Sequence, residues 1–356
     1  MKLQPYLISS QSLSFLTINV WFGLEERGIL KMNPIESNDR REKRYEILVG
    51  ELRLLQPDFI AIQEANPIPQ YSRRLATDLG YDEIHQVYNG GIKIGPLGIP
   101  VNLRMGLMVL AKKGFHLRWA GATQISGDPF GLYGDFFCFH LTDSRQIMAG
   151  MASVEGKPLY VINTHTYAGV PESHDVTVHM DKYRYQGRVS GKKCPAHLST
   201  ARHTTQRHKR EVERILSFLQ RTTEQDPAVL LGDFNMTEDN PLMVHLMKKG
   251  RLWDSYRIAN PHKKGFTWDA DDNENTRFSQ SSGSDPDDVT SAADHFRAVY
   301  DRESRRIDYI LLNSVFRKNQ IRESRVVLDQ AYTGVHVSDH YGVMTVVALR
   351  PECGHQ

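Results

Sequence analysis

Four apolar, β-branched stretches of this chain close on polar residues: Asn19, Glu64, the run Asn163-Thr164-His165, and Asp233-Phe234-Asn235. Ser338-Asp339-His340 stands just before a fifth such stretch, Gly342–Ala348. Short apolar runs of this kind read as buried strands. Polar residues at the ends of several separate strands point to one shared site. Acids, amides and histidines collected in this way can hold a hard metal ion and cleave a phosphate ester.

Strands are expected at Leu13–Val20, Asp58–Gln63, Gly106–Ala111, Phe136–Leu141, Pro158–Asn163, Ala228–Leu231, Arg306–Leu312, Val326–Leu328 and Gly342–Ala348. Two helices follow from apolar residues at helical spacing. In Arg40–Gln56 they are Tyr45, Leu48, Val49, Leu52 and Leu55, and Pro57 ends the run. In Ser199–Arg221 they are Val212, Ile215, Leu216 and Leu219. Helices alternate with strands early, whereas the middle is rich in strands. That order predicts a layered α/β protein with mixed sheets. No linker separates the motifs, so one domain over 1–356 is expected, with insertions at 90–104, 167–197 and 270–294.

Net charge is +2, too small to argue for a nucleic-acid partner, though it leaves room for a local basic groove. The three cysteines, Cys138, Cys194 and Cys353, are scattered and suggest neither a disulfide framework nor a Cys-based zinc site. A reducing, cytoplasmic setting or a peripheral place at a membrane fits them; secretion would require that an N-terminal signal had been removed. No apolar run is long enough for a transmembrane helix.

Taken singly, the motifs keep bland alternatives. Glu64 reads equally as an acid leaving the core for solvent, and Asp233 as an Asx turn. Gly232 allows a sharp turn, after which Asp233 and Asn235 can face one side. Asp308 lies inside the apolar run Arg306–Leu312, where an unpaired acid is costly. His340 is the partner type it needs, and an imidazole held by a carboxylate is a candidate general base.

Together, Thr17–Trp21, Ile62–Glu64, Asn163–His165, Leu231–Asn235, Arg306–Leu311 and Val337–His340 resemble the endonuclease/exonuclease/phosphatase superfamily of metal-dependent phosphodiesterases. The resemblance implies a four-layer α/β/β/α sandwich of two packed mixed sheets, DNase I-like, with the site at one edge. It implies Glu64 as a direct Mg²⁺ ligand, Asn19 as a supporting one and Asp339 as a further metal-side carboxylate, with Mn²⁺ as a substitute ion. His340 would activate water and Asp308 would orient it. Asp233 would position the water or the dyad, Asn235 would bind a phosphate oxygen, and His165 would bond the phosphate and help the leaving oxygen.

Within that superfamily, Asn163-Thr164-His165 resembles neutral sphingomyelinases, DNase I-like nucleases and inositol phosphatases alike, whereas Gly106–Lys113, Gly131–Phe139 and Gly265–Asp269 look like the neutral sphingomyelinase branch. The expected substrate is then a phospholipid headgroup at a membrane surface. A DNase I-like nuclease acting on nucleic acid is the alternative, followed by an inositol phosphate phosphatase or a non-catalytic binding module. The aromatic run at 130–139 reads either as a lipid-facing patch or as an ordinary hairpin. Asp269–Asn275 mimics a calcium loop but carries Glu274 where glycine is needed, and the acidic stretch to Asp294 reads as solvated loop.

Overall fold

The structure is a computed structural model that describes residues 12–23, 35–94, 97–127, 131–133, 138–140, 144–170, 194–279 and 300–350. The chain runs through β1 (Ser12–Asn19), α1 (Asn38–Leu55), β2 (Phe59–Ala65), α2 (Gln70–Leu79), β3 (Tyr81–Ile94), β4 (Leu97–Lys112) and β5 (Arg118–Ser126). The short β6 (Gly131–Tyr133) and β7 (Cys138–His140) precede β8 (Arg145–Val154) and β9 (Lys157–His165). Then come α3 (Cys194–Thr223), β10 (Ala228–Asp233), α4 (Pro241–Gly250), β11 (Leu252–Asp254), α5 (Ser255–Ala259) and α6 (Glu274–Ser279). Strands β12 (Asp308–Asn313), β13 (Ile321–Val327) and β14 (Gly342–Ala348) complete it.

Two six-stranded sheets form, in the orders β13-β14-β1-β2-β4-β3 and β11-β12-β10-β9-β8-β5. Both are mixed: β1 is parallel to β2 and antiparallel to β14, while β10 is parallel to β9 and antiparallel to β12. Alternate side chains on a strand face opposite ways. Leu13 and Phe15 of β1 join Phe59, Val109, Val161, Leu231 and Ile310 in one core, to which both sheets contribute. Leu16 and Ile18 turn the other way and meet Leu48 and Leu52 of α1 and Leu75 of α2. On the second sheet, Ile162 and Leu230 pack with Val212 and Ile215 of α3 and Met243 of α4. Three cores between four layers explain why the central strands are apolar on both faces. Each fully buried Leu, Ile or Phe contributes about 1.5–3 kcal/mol.

The expected four-layer sandwich is thus present. Helix α1 begins two residues earlier than its apolar spacing predicts, because Ser37 caps it by accepting the Arg40 N–H. It ends at Leu55, with Gln56 in a left-handed conformation. Of residues 90–104, expected as a loop, 90–94 and 97–104 instead belong to β3 and β4, which pair through Ile92 opposite Ile99. Glycine and proline content alone misleads there, because a long hairpin tolerates both at irregular register. Strands β5 and β8 and helices α2 and α4 were not legible from pattern. Of the expected insertion at 167–197, residues 171–193 lie outside the described part, and 194–197 belong to α3. Of 270–294, residues 280–294 lie outside it, but Asn273, Asn275 and Thr276 are buried rather than solvated.

Candidate active site

The strand directions bring the polar residues to one edge. Parallel β1 and β2 end there with Asn19 and Glu64, and parallel β9 and β10 with His165 and Asp233. Antiparallel β12 begins there with Asp308, and the turn before antiparallel β14 carries Asp339 and His340. Buried amides hold the two sheets in alignment: Gln63 Nε2 donates to Asn163 Oδ1 at 2.7 Å, and Asn163 Nδ2 donates to the Ile62 and Met108 carbonyls. Asn163 is therefore a clasp between sheets, one residue pair away from the chemistry of His165.

Backbone strain marks the same edge. Trp21, Glu64 and Asn235 all have positive φ, at 52°, 59° and 48°. Such conformations cost about 1–3 kcal/mol each in non-glycine residues and persist where the surroundings enforce them. The bulge between Ile62 and Ala65 turns Glu64 so that its carboxylate accepts the Phe22 N–H at 3.2 Å. Gly232 has φ 146°, and a Cβ there would come within 2.0 Å of the Thr164 carbonyl oxygen. Only glycine lets β10 run this close to β9 and deliver Asp233.

Asp233 lies at the centre. Its Oδ1 accepts the Asn235 N–H at 2.9 Å, and its Oδ2 accepts from Asn19 Nδ2 at 3.1 Å. The same Oδ2 is 3.5 Å from His165 Nε2 and 3.7 Å from His340 Nε2. His165 Nε2 in turn is 3.9 Å from Glu64. His340 Nδ1 meets Asp308 Oδ2 at 2.8 Å, and Trp268 packs edge-on against its ring. Asp308 Oδ1 is buried without a hydrogen-bond partner among the described residues. Ser338 Oγ donates to the Asn19 carbonyl at 2.6 Å and so ties the Asp339 turn to the end of β1. Asn235 reaches the Thr166 carbonyl through Nδ2 at 3.2 Å. All eight residues expected from the sequence therefore meet along one edge.

The electrostatics divide the two histidines. Burial lowers the proton affinity of His340, but Asp308 and then Asp233 outweigh it and push its pKa up to about 10. Between two carboxylates, and with no ion beside it, the ring holds its proton well above the usual histidine range. His165 moves the other way: burial, then the charges of Arg145 and His340, hold its pKa well below the usual value. Its Nδ1 faces the Tyr88 hydroxyl at 2.9 Å, with Arg145 Nη1 at 3.2 Å. Arginine can only donate, and its shorter contact is to Nδ1 (3.5 Å to Nε2), which favours the tautomer protonated on Nε2, facing Asp233 and Glu64. Burial and then the charge of Asp339 push Glu64 up to about 8. Burial and then Asp308 push Asp233 up to about 6.

Among the described residues, two groupings at this edge could hold a divalent cation. Asp233, Asp308 and His340 present ligand atoms within 4.8 Å of one another. Both nitrogens of His340 already face carboxylates, however, so an ion there would have to displace the proton. Glu64 and Asp339, with Asn19 beside them, offer oxygen donors, and burial together with the Asp339 charge keeps the Glu64 proton to about 8. That donor chemistry fits a hard cation, which prefers oxygen and needs only one or two carboxylates.

Residues 16–340 match the Endonuclease/Exonuclease/phosphatase family. The chain belongs to that family. No curated protein matches the sequence. Among solved structures, D. rerio TDP2 complexed with single-strand DNA product superposes with a TM-score of 0.56 at 14% identity, covering 95% of this chain and 99% of that one. A mannosyl-6-phosphatase from Bacteroides thetaiotaomicron gives 0.55 at 16% identity, covering 94% and 100%. A B. vulgatus endonuclease/exonuclease/phosphatase gives 0.56 at 14%, covering 95% and 99%. At these identities the likeness establishes the shared fold. The sphingomyelinase-like resemblance drawn from the sequence has no counterpart among these three structures.

Sequence reading missed Tyr88, Arg145 and Trp268 as neighbours of the two histidines. Arg145 opens a strand in an unremarkable context, and Tyr88 sits within a long hairpin strand. Nothing local distinguishes either one, because each matters only through a contact with a residue distant in sequence.

Proposed function

We propose that this chain is a Mg²⁺-dependent phosphodiester hydrolase whose phosphoryl centre lies among Glu64, His165, Asp233, Asn235 and His340. The observation that carries the reading is the pair of imidazoles on the Asp233 carboxylate, His165 at 3.5 Å and His340 at 3.7 Å, with Glu64 3.9 Å from His165. Glu64, Asp339 and Asn19 would hold the ion. When bound, it would supply positive charge that offsets these acids and stabilises negative charge on the phosphoryl oxygens. His340 would take a proton from the attacking water on Nε2, while Asp308 on Nδ1 fixes the ring and balances its charge. Asp233 orients that water. His165 donates its Nε2–H to a phosphoryl oxygen, and the Asn235 amide offers a second donor. One such donor in a water-poor site is worth about 3 kcal/mol of the barrier.

The fold neighbours named for TDP2 and for mannosyl-6-phosphatase support phosphoester hydrolysis and differ in substrate. Neither supports the phospholipid headgroup expected from the sequence. The aromatic run that would face a membrane has its side chains outside the described residues. Among the described residues no helix is long and apolar enough to cross a membrane. The decisive experiment is hydrolysis of bis(4-nitrophenyl) phosphate. EDTA should abolish it, Mg²⁺ should restore it, and His340→Ala should lower kcat by about 10³-fold or more. Substantial turnover by a folded His340→Ala protein would overturn the assigned role.

A further inference from the structure

A cavity of about 220 Å³ opens on the far side of Glu64, walled by the 20–22 turn, α1 and the start of α2. Glu64, Phe22, Tyr45 and Tyr71 line it, so it is continuous with the proposed phosphoryl site. An apolar cavity of about 150 Å³ is enough for a benzene ring. Its aromatic faces are partly taken. The Arg44 guanidinium lies over Trp21 at 4.8 Å, and that of Arg74 over Tyr45 at 3.8 Å. Both cations are anchored: Arg44 by Glu36 and the Val20 and Val337 carbonyls, Arg74 by Glu42. A quaternary ammonium needs open aromatic faces and no competing cation. Here it would meet two guanidiniums in the places it would occupy, with Arg41 as a third lining cation.

An uncommitted polar group points to a different occupant. The Tyr71 side chain packs edge-on against Tyr45 at 5.6 Å, and its hydroxyl has no hydrogen-bond partner among the described residues. A phenol there can donate to an acceptor on a ligand in exchange for solvent, without breaking a bond within the described residues. A planar uncharged ring can stack among these side chains, adding apolar burial to that hydrogen bond.

Resting on the phosphodiesterase reading above, we infer that this cavity is a substrate subsite for a planar, uncharged ring bearing a hydrogen-bond acceptor, the chemistry of a nucleobase. It selects against cationic headgroups such as choline. Phosphate on one side of Glu64 and ring on the other would give the substrate two anchors.

The test is calorimetric titration of the Mg²⁺-loaded protein with adenosine 5′-monophosphate, phenyl phosphate, methyl phosphate and phosphocholine. The two ring-bearing monoesters should bind about tenfold more tightly than the other two. Gln70→Trp, an exposed change at the cavity's mouth, should abolish that preference for both rings. Tyr71→Phe should reduce it for adenosine 5′-monophosphate and leave it for phenyl phosphate, which has no ring acceptor. Phosphocholine binding as tightly as phenyl phosphate would overturn the subsite, as would a preference that survives Gln70→Trp. Equal binding of all four removes the cavity's role but keeps the phosphoester site. Failure of all four to bind in Mg²⁺ removes the underlying reading itself.

Discussion

His340 has a carboxylate at each nitrogen, Asp308 at 2.8 Å and Asp233 at 3.7 Å, and this decides its protonation. Burial alone would leave a neutral ring, so the charge is imposed by the two acids. Asp308→Asn removes the nearer one while preserving shape. The His340 pKa should then fall from about 10 toward the ordinary histidine range, as followed by imidazole ¹⁵N NMR titration of the metal-free protein. A group whose folded pKa is raised stabilises the fold below its unfolded pKa, and that benefit disappears as pH climbs through the folded value. Metal-free wild type should therefore lose stability from about pH 6.5 to about 10 through this ring. Asp308→Asn should flatten that part of the profile. An unchanged His340 titration would mean that Asp308 does not govern it.

The turn carrying Asp339 and His340 is held from outside by the segment leading into α6. Asn273 Nδ2 and Asn275 Nδ2 both donate to the Ser338 carbonyl, at 2.9 and 3.1 Å, and Asn275 also reaches the His336 carbonyl at 3.0 Å. Arg40 of α1 donates to Asn275 Oδ1 at 2.8 Å and fixes the amide's orientation. Asn275→Ala leaves those buried carbonyls short of donors, a loss of about 1–2 kcal/mol in stability. Activity should suffer more: kcat should drop about tenfold at nearly unchanged KM, because a small misplacement of His340 costs chemistry before binding. Equal losses in kcat and in folded fraction would reduce the role to ordinary stability. This anchor also shows where sequence reading stops. Glu64, Asp233 and Asp308 were legible because each interrupts an apolar strand within a few residues. Asn273 and Asn275 lie in an acidic stretch that looks solvated, and their meaning comes from a carbonyl 65 and 63 positions away. Residues 90–94 and 97–104 failed for a related reason: hairpin pairing, not composition, made them strands.

Across the molecule, three groups along one edge pull stability the same way. Glu64, Asp233 and His340 all have raised pKa values, at about 8, 6 and 10. Each binds a proton more readily folded than unfolded, so each makes the metal-free protein less stable as pH rises. For Glu64 the window runs from its unfolded value of about 4.5 to about 8, and each tenfold gain in proton affinity on folding is worth about 1.4 kcal/mol. The edge is the meeting line of both sheets, so this strain is felt by the fold as a whole rather than by one loop. A cation that binds the ionised carboxylates acts in the opposite direction, since a ligand specific to the folded state stabilises it by mass action, about 2.7 kcal/mol at a hundredfold excess over Kd. Mg²⁺ should therefore raise Tm by a few degrees at pH 8, where Glu64 must otherwise give up its proton, and by much less at pH 5, where the proton competes for the same oxygens. Differential scanning calorimetry at the two pH values checks this directly. Glu64→Gln should remove most of the pH 8 increment, because an amide neither titrates nor offers the ion a charge. An equal Mg²⁺ shift in wild type and Glu64→Gln would place the ion elsewhere, with Asp233, Asp308 and His340 as the remaining grouping able to receive it.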